Sequence, residues 1–196
     1  MNLGITGNIG TGKSTILTRL EEIGLDVYNL DIIAKSTYKK GLPAYLEIIS
    51  SFDNILDKKE EIDIKKLSEI VFNNKDKLDI LQNIVWPKVR EFIIEVKNSN
   101  KKNIVFEGAL LISANWHKLL DHIWIIDADI EIVKKRLISQ RNINEKNYQN
   151  ILNNQQLADQ MISILDKDKI PYSVIVNNTK KNDLNKIIDK KINEII

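Results

Sequence analysis

A chain of 196 residues with a 43% hydrophobic share suits one folded α/β domain carrying an insertion, and excludes a disordered chain. The formal net charge of +2 argues against a dedicated nucleic-acid binder, which shows a basic patch or stripe. There is no cysteine, so disulfides, thiolate metal sites and a cysteine nucleophile are excluded. The N-terminus lacks a leader pattern and no apolar run nears the roughly 18 residues of a membrane span, so a cytoplasmic protein is expected.

Residues 2–6 predict a first strand. Ile16, Leu17, Leu20 and Ile23 recur at helical spacing and predict a helix over 13–23, ended by Gly24 at its C′ position. Residues 25–30 read as a second strand, completing a β-loop-α-β unit. From Asp31 to about Asn98 the pattern is helical, with a polar loop over 52–63. Pro87 predicts that a helix begins or kinks there. Strands are expected over 103–107, 122–127 and 172–176. A polar helical stretch is expected from Ile130 to about Asp166, and an amphipathic helix over 182–196. Strands alternating with helices argue for a parallel sheet covered on both faces.

Residues 7–14, Gly-Asn-Ile-Gly-Thr-Gly-Lys-Ser, carry the chemistry. Four of the seven glycines fall in the first twelve residues, where the backbone must fold around a polyphosphate with its N–H groups inward. Gly7, Asn8, Ile9, Gly10, Thr11, Gly12, Lys13, Ser14 and Thr15 are the candidate nucleotide-binding residues. Lys13 suits the β- and γ-phosphates, the Ser14 hydroxyl suits Mg²⁺, and the helix start adds its partial positive charge.

No Asn-Lys-x-Asp or Asp-x-x-Gly occurs, which counts against a regulatory GTPase. A small-molecule kinase fits better. Such an enzyme needs an acid for the acceptor hydroxyl and an arginine-bearing lid. Asp31 ends the second predicted strand and is the candidate acid; it also reads as a helix N-cap, and the two roles are compatible. Glu107 ends a strand and is either an acid that helps hold Mg²⁺ or a surface carboxylate. Arg136 and Arg141 are two of only four arginines in a Lys-rich chain. They read either as phosphate-clamping forks or as ordinary surface charges. His117 and His122 read as structural residues, and Trp86, Trp116 and Trp124 as packing.

The sequence resembles the dephospho-CoA kinase family over most of its length. The resemblance rests on Leu3–Thr15, on the block from Val27 to Lys35, on Gly41-Leu42-Pro43, on Glu107 to Leu111, on Gln140-Arg141 and on Asn177-Asn178. It places Asp31 on the family's catalytic acid and the Asn pair, Asn178 included, near the adenine pocket. It implies that ATP phosphorylates the 3′-hydroxyl of dephospho-CoA. Asp31 would serve that hydroxyl, Lys13 and Ser14 would hold phosphates and Mg²⁺, and Arg136 and Arg141 would close over the transferring group. The expected fold is a three-layer α/β/α P-loop NTPase with a helical substrate-binding insertion and a helical lid. The core would be 1–30, 99–128 and 170–196, the acceptor-substrate subdomain 31–98 and the lid 129–169. A monomer or weak homo-oligomer acting on a small molecule, with no nucleic acid or membrane partner, is expected. Asn29, Lys35, Trp86, Ala109, Ser113 and Val176 depart from the family pattern. The alternatives are another P-loop nucleotide or metabolite kinase, or a non-catalytic ATP-binding relative.

Overall fold

The computed structural model describes residues 1–72, 74–99, 101–141, 158–178 and 181–195, the side chains of 139–141 and 181–182 excepted. The chain divides into two compact units: Met1–Tyr28 with Asn100–Ile196, and Asn29–Ser99.

The first unit is built on a sheet. Its strands are β1 (Asn2–Gly7), β2 (Asp26–Asn29, whose last residue opens the second unit), β3 (Ile104–Glu107), β4 (His122–Asp127) and β5 (Tyr172–Val176). Their order is β2-β3-β1-β4-β5. β1 pairs in parallel with β3 and with β4, and β4 with β5. Ile104–Phe106 and Ile123–Ile126 are continuous buried runs, as a sheet covered on both faces requires. The helices of this unit are α1 (Lys13–Glu22), α6 (Ile130–Arg141), α7 (Ala158–Asp168) and α8 (Lys181–Asn193), with a 3₁₀ turn at Trp116–Leu119. Ile16 and Leu20 of α1 and Leu184, Ile188 and Ile192 of α8 pack on one face against Leu3, Ile5, Trp124 and Ile126. Arg19 and Asp189 join the same two helices through paired hydrogen bonds of 2.8 Å. α1 ends as expected, with Gly24 in the left-handed region at φ +90°.

The second unit is helical: α2 (Leu30–Thr37), α3 (Pro43–Ser51), α4 (Ile64–Phe72) and α5 (Lys75–Lys97). α5 packs against the other three, and its buried Val85, Val89 and Ile93 lie at i, i+4 and i+8, one stripe of the helix. Within 52–63, Leu56 and Ile62 form an isolated antiparallel bridge.

Pro87 neither begins a helix nor ends one; it lies inside the 23 residues of α5. Proline lacks the N–H that the Asn83 carbonyl would receive. Both residues are exposed, so water can serve that carbonyl and the helix passes through. The helical reading of 130–166 holds for its two ends; residues 142–157 lie outside the described residues. No helix among the described residues is long and apolar enough to cross a membrane.

Candidate active site

β1 runs straight into the phosphate loop. At Gly7 (φ +141°) the loop leaves the sheet so close to β4 that a Cβ would collide with the Ile126 carbonyl. At Gly12 (φ +99°) it enters α1. Gly12 is the N-cap of that helix and has no side chain to cap it, and no acidic residue occupies the first turn. The first amides of α1 and the positive end of its dipole are therefore left for an anion.

Carbonyls of the loop are held by side chains of the loop itself and of elements beyond it. Lys13 Nζ donates to Gly7 O at 2.7 Å and to Asn8 O at 3.1 Å. Thr11 Oγ1 also donates to Asn8 O, at 2.8 Å. Arg136 donates to Gly10 O at 3.3 Å, and Asn177 Nδ2 to Thr11 O at 2.7 Å. α6 sits against the loop with one face. Val133 and Leu137 pack on Ile9, and Arg136 lies on the same stripe. Ser14 is exposed and Thr15 half-buried at the helix start.

Glu107 lies beside the loop because β3 pairs with β1, its residue opposite Ile5. Its carboxylate is buried, 5% exposed, and stands 4.0 Å from Lys13 Nζ. The surface-carboxylate reading is thereby set aside. Asn177 and Asn178 follow β5. Asn177 is 3% exposed. Its N–H donates to Asp127 O at 2.8 Å, and its carbonyl accepts from Arg136 at 3.0 Å. Asn178 Oδ1 accepts from the Asp129 amide at 2.8 Å, just ahead of α6. The structure thus brings together Gly7–Thr15, Glu107, Arg136 and the Asn pair. The side chain of Arg141 lies outside the described residues.

Asp31 belongs to the helical unit, half-buried in the first turn of α2. It is not the helix cap. Asn29 is, its side chain accepting from the Ile32 amide at 2.8 Å. The cap is two residues earlier because the strand ends at Asn29 and Leu30 is already helical. The Asn found where the family pattern has its first acid therefore has a structural use, as the cap of α2. Lys35 is exposed on the same helix, and Trp86 is half-buried on α5.

Both histidines are structural. His117, fully buried, donates from Nε2 to Asp168 at 2.9 Å. That bond, and then Lys118, hold the Asp168 carboxyl below the usual carboxylate range. His122 Nε2 lies 3.0 Å from Ser173 Oγ. Partial burial, and then Lys191, lower the pKa of this imidazole. What the sequence left unread is Asn177 as a partner of the loop backbone. Its signal was a polar residue directly after an apolar strand, where a buried side chain must find a hydrogen bond.

A family model described as dephospho-CoA kinase matches residues 1–183. A dephospho-CoA kinase of Fusobacterium nucleatum is 39% identical over 97% of this chain and 96% of its own length. The solved structure of dephospho-CoA kinase from Campylobacter jejuni is 28% identical, with a TM-score of 0.68 over 99% of this chain and 96% of that one. A Thermus thermophilus structure, 23% identical, shares the fold at a TM-score of 0.81 over 100% of this chain and 98% of that one. The α/β fold, the phosphate loop and these matches over nearly the whole length agree: the chain belongs to the dephospho-CoA kinase family, kinases that take their phosphate from ATP.

Proposed function

We propose that this chain transfers the γ-phosphoryl group of ATP to the 3′-hydroxyl of the dephospho-CoA ribose, giving coenzyme A and ADP. The observation that carries the reading is the loop itself. Its Gly10 and Thr11 carbonyls are engaged from outside by Arg136 and Asn177, and α1 has no capping side chain. A backbone so held presents its amides to a polyphosphate without having to reorganise.

Phosphoryl transfer asks a protein mainly for position and charge. Lys13 and the loop amides hold the β- and γ-phosphates. Asp31 orients the acceptor hydroxyl and takes its proton at the carboxylate as the bond to phosphorus forms. Arg136 and Arg141 spread the charge of the transferring group, and Asn178 borders the adenine. The residues present fit Mg²⁺: Ser14 and Glu107 offer hard oxygen ligands, and such an ion completes its shell with phosphates and water. When bound, it would neutralise charge on the β- and γ-phosphates. The helical segment 31–98 binds the acceptor, 129–169 acts as the lid, and the rest is the nucleotide-binding core. A cytoplasmic monomer or weak homo-oligomer belongs to the same proposal.

The test is direct. Purified protein is given ATP, Mg²⁺ and dephospho-CoA, with AMP and other hydroxyl acceptors in parallel. Coenzyme A formation is the expected result. Transfer only to another acceptor, or ATP binding with no transfer, would overturn it.

A further inference from the structure

We infer that Asn177 is a positioning residue for the phosphate loop: its side-chain amide fixes the Thr11 carbonyl and so keeps the loop amides turned toward the nucleotide. This inference rests on the ATP-binding part of the proposed function.

The Thr11 carbonyl sits at an awkward point of the chain. The α1 ladder begins one residue later, with Thr15 and Ile16 both donating to the Gly12 carbonyl. The carbonyl of Thr11 therefore falls outside the ladder, and Thr11 is 1% exposed. A buried carbonyl left unpaired is costly. Asn177 supplies the partner at 2.7 Å. It can do so because it is itself fixed, by the Asp127 carbonyl at its N–H and by Arg136 at its C=O. The same Arg136 reaches Gly10 O at 3.3 Å, so loop, α6 and the end of β5 are bound in one network.

Gly12 carries the other half of the argument. A Cβ there would strike Asn177 Nδ2. The glycine thus serves two needs: a positive φ at the helix start, and room for the Asn177 amide to reach past it. If the amide is removed, the peptide between Thr11 and Gly12 is free to turn, and its N–H is no longer held toward the phosphates.

The test compares wild type with Asn177→Ala and Asn177→Asp. The second keeps the shape and an acceptor toward Arg136 but has no N–H for Thr11, and it remains informative where the alanine variant fails to fold. ATP affinity is measured by calorimetry without acceptor, and KM and kcat for both substrates with it. Both variants should weaken ATP binding by about tenfold, the effect of one unsatisfied buried carbonyl. KM for ATP should rise by a similar factor, while KM for the acceptor stays near the wild-type value. An aspartate variant that binds ATP like wild type, or an equal rise in both KM values, would overturn the inference. Wild-type ATP binding without transfer to dephospho-CoA would sink the acceptor assignment alone, and the calorimetric comparison would still decide the role of Asn177.

Discussion

Lys13 Nζ stands 4.0 Å from the Glu107 carboxylate while donating to the Gly7 carbonyl at 2.7 Å. The lysine is thus held at the loop by the loop's own backbone and by an acid from the neighbouring strand. Lys13→Ala should weaken ATP binding and lower turnover by roughly 10²–10³-fold, the scale of removing one preorganised charge from a transition state. Steady-state kinetics over a range of ATP concentrations measure both.

Glu107→Gln keeps the shape of that side chain and removes its charge. On our reading the Mg²⁺ concentration giving half the maximal rate should rise several-fold. A magnesium titration of the rate checks this, and an unchanged midpoint would take Glu107 out of the metal's surroundings.

Asn29 caps α2, and on the proposed function the Asp31 carboxylate in the same helix turn serves the acceptor hydroxyl. Asn29→Ala removes the α2 cap and should cost about 1 kcal/mol of stability by urea unfolding. Asp31→Asn should leave stability and ATP affinity near wild type while cutting turnover by roughly 10²–10⁴-fold, the range for general base catalysis. The reverse pattern would exchange the two roles.

Asp168 gives the fold a pH dependence. Its carboxyl accepts from buried His117 at 2.9 Å and from Lys118 at 3.2 Å, which lowers its pKa in the folded state. Unfolding returns it to about 3.9. The folded form binds this proton more weakly. The pair's contribution to stability is therefore complete above about pH 4 and is lost as pH falls through the lower folded value. The Tm gap between wild type and Asp168→Asn should be open near neutral pH and narrow below about pH 4. A gap independent of pH would contradict the assignment.

Pro87 interrupts the hydrogen bonds of α5 on its exposed face. Pro87→Ala restores an N–H for the Asn83 carbonyl, and should raise stability by about 1–3 kcal/mol. Urea unfolding measures the change, and a destabilised variant would show that the ring is packed to good effect.

The α/β pattern was legible because strands such as β3 and β4 are short apolar runs and helices such as α1 and α5 carry a stripe. Ile104–Phe106 and Ile16 with Leu20 are examples. The phosphate loop was legible because glycines, Lys13 and Ser14 stand at fixed spacing. The strand order was not, since nothing local places β3 between β1 and β2. That α5 does not begin at Pro87 was not legible, because the penalty for proline depends on which face of the helix it occupies, and that is decided by tertiary packing. The cap was left open because Asn29 and Asp31 both have capping side chains, and only the observed end of β2 chooses between them. The brace by Asn177 joins residues 166 positions apart, a contact that only the folded sheet creates.

The central claim is most directly tested by the product formed from ATP and dephospho-CoA with the purified wild-type protein. The account predicts coenzyme A and ADP in equal amounts, with AMP in parallel a far poorer acceptor. Phosphate carried to AMP or another acceptor in preference, with no coenzyme A formed, would contradict it.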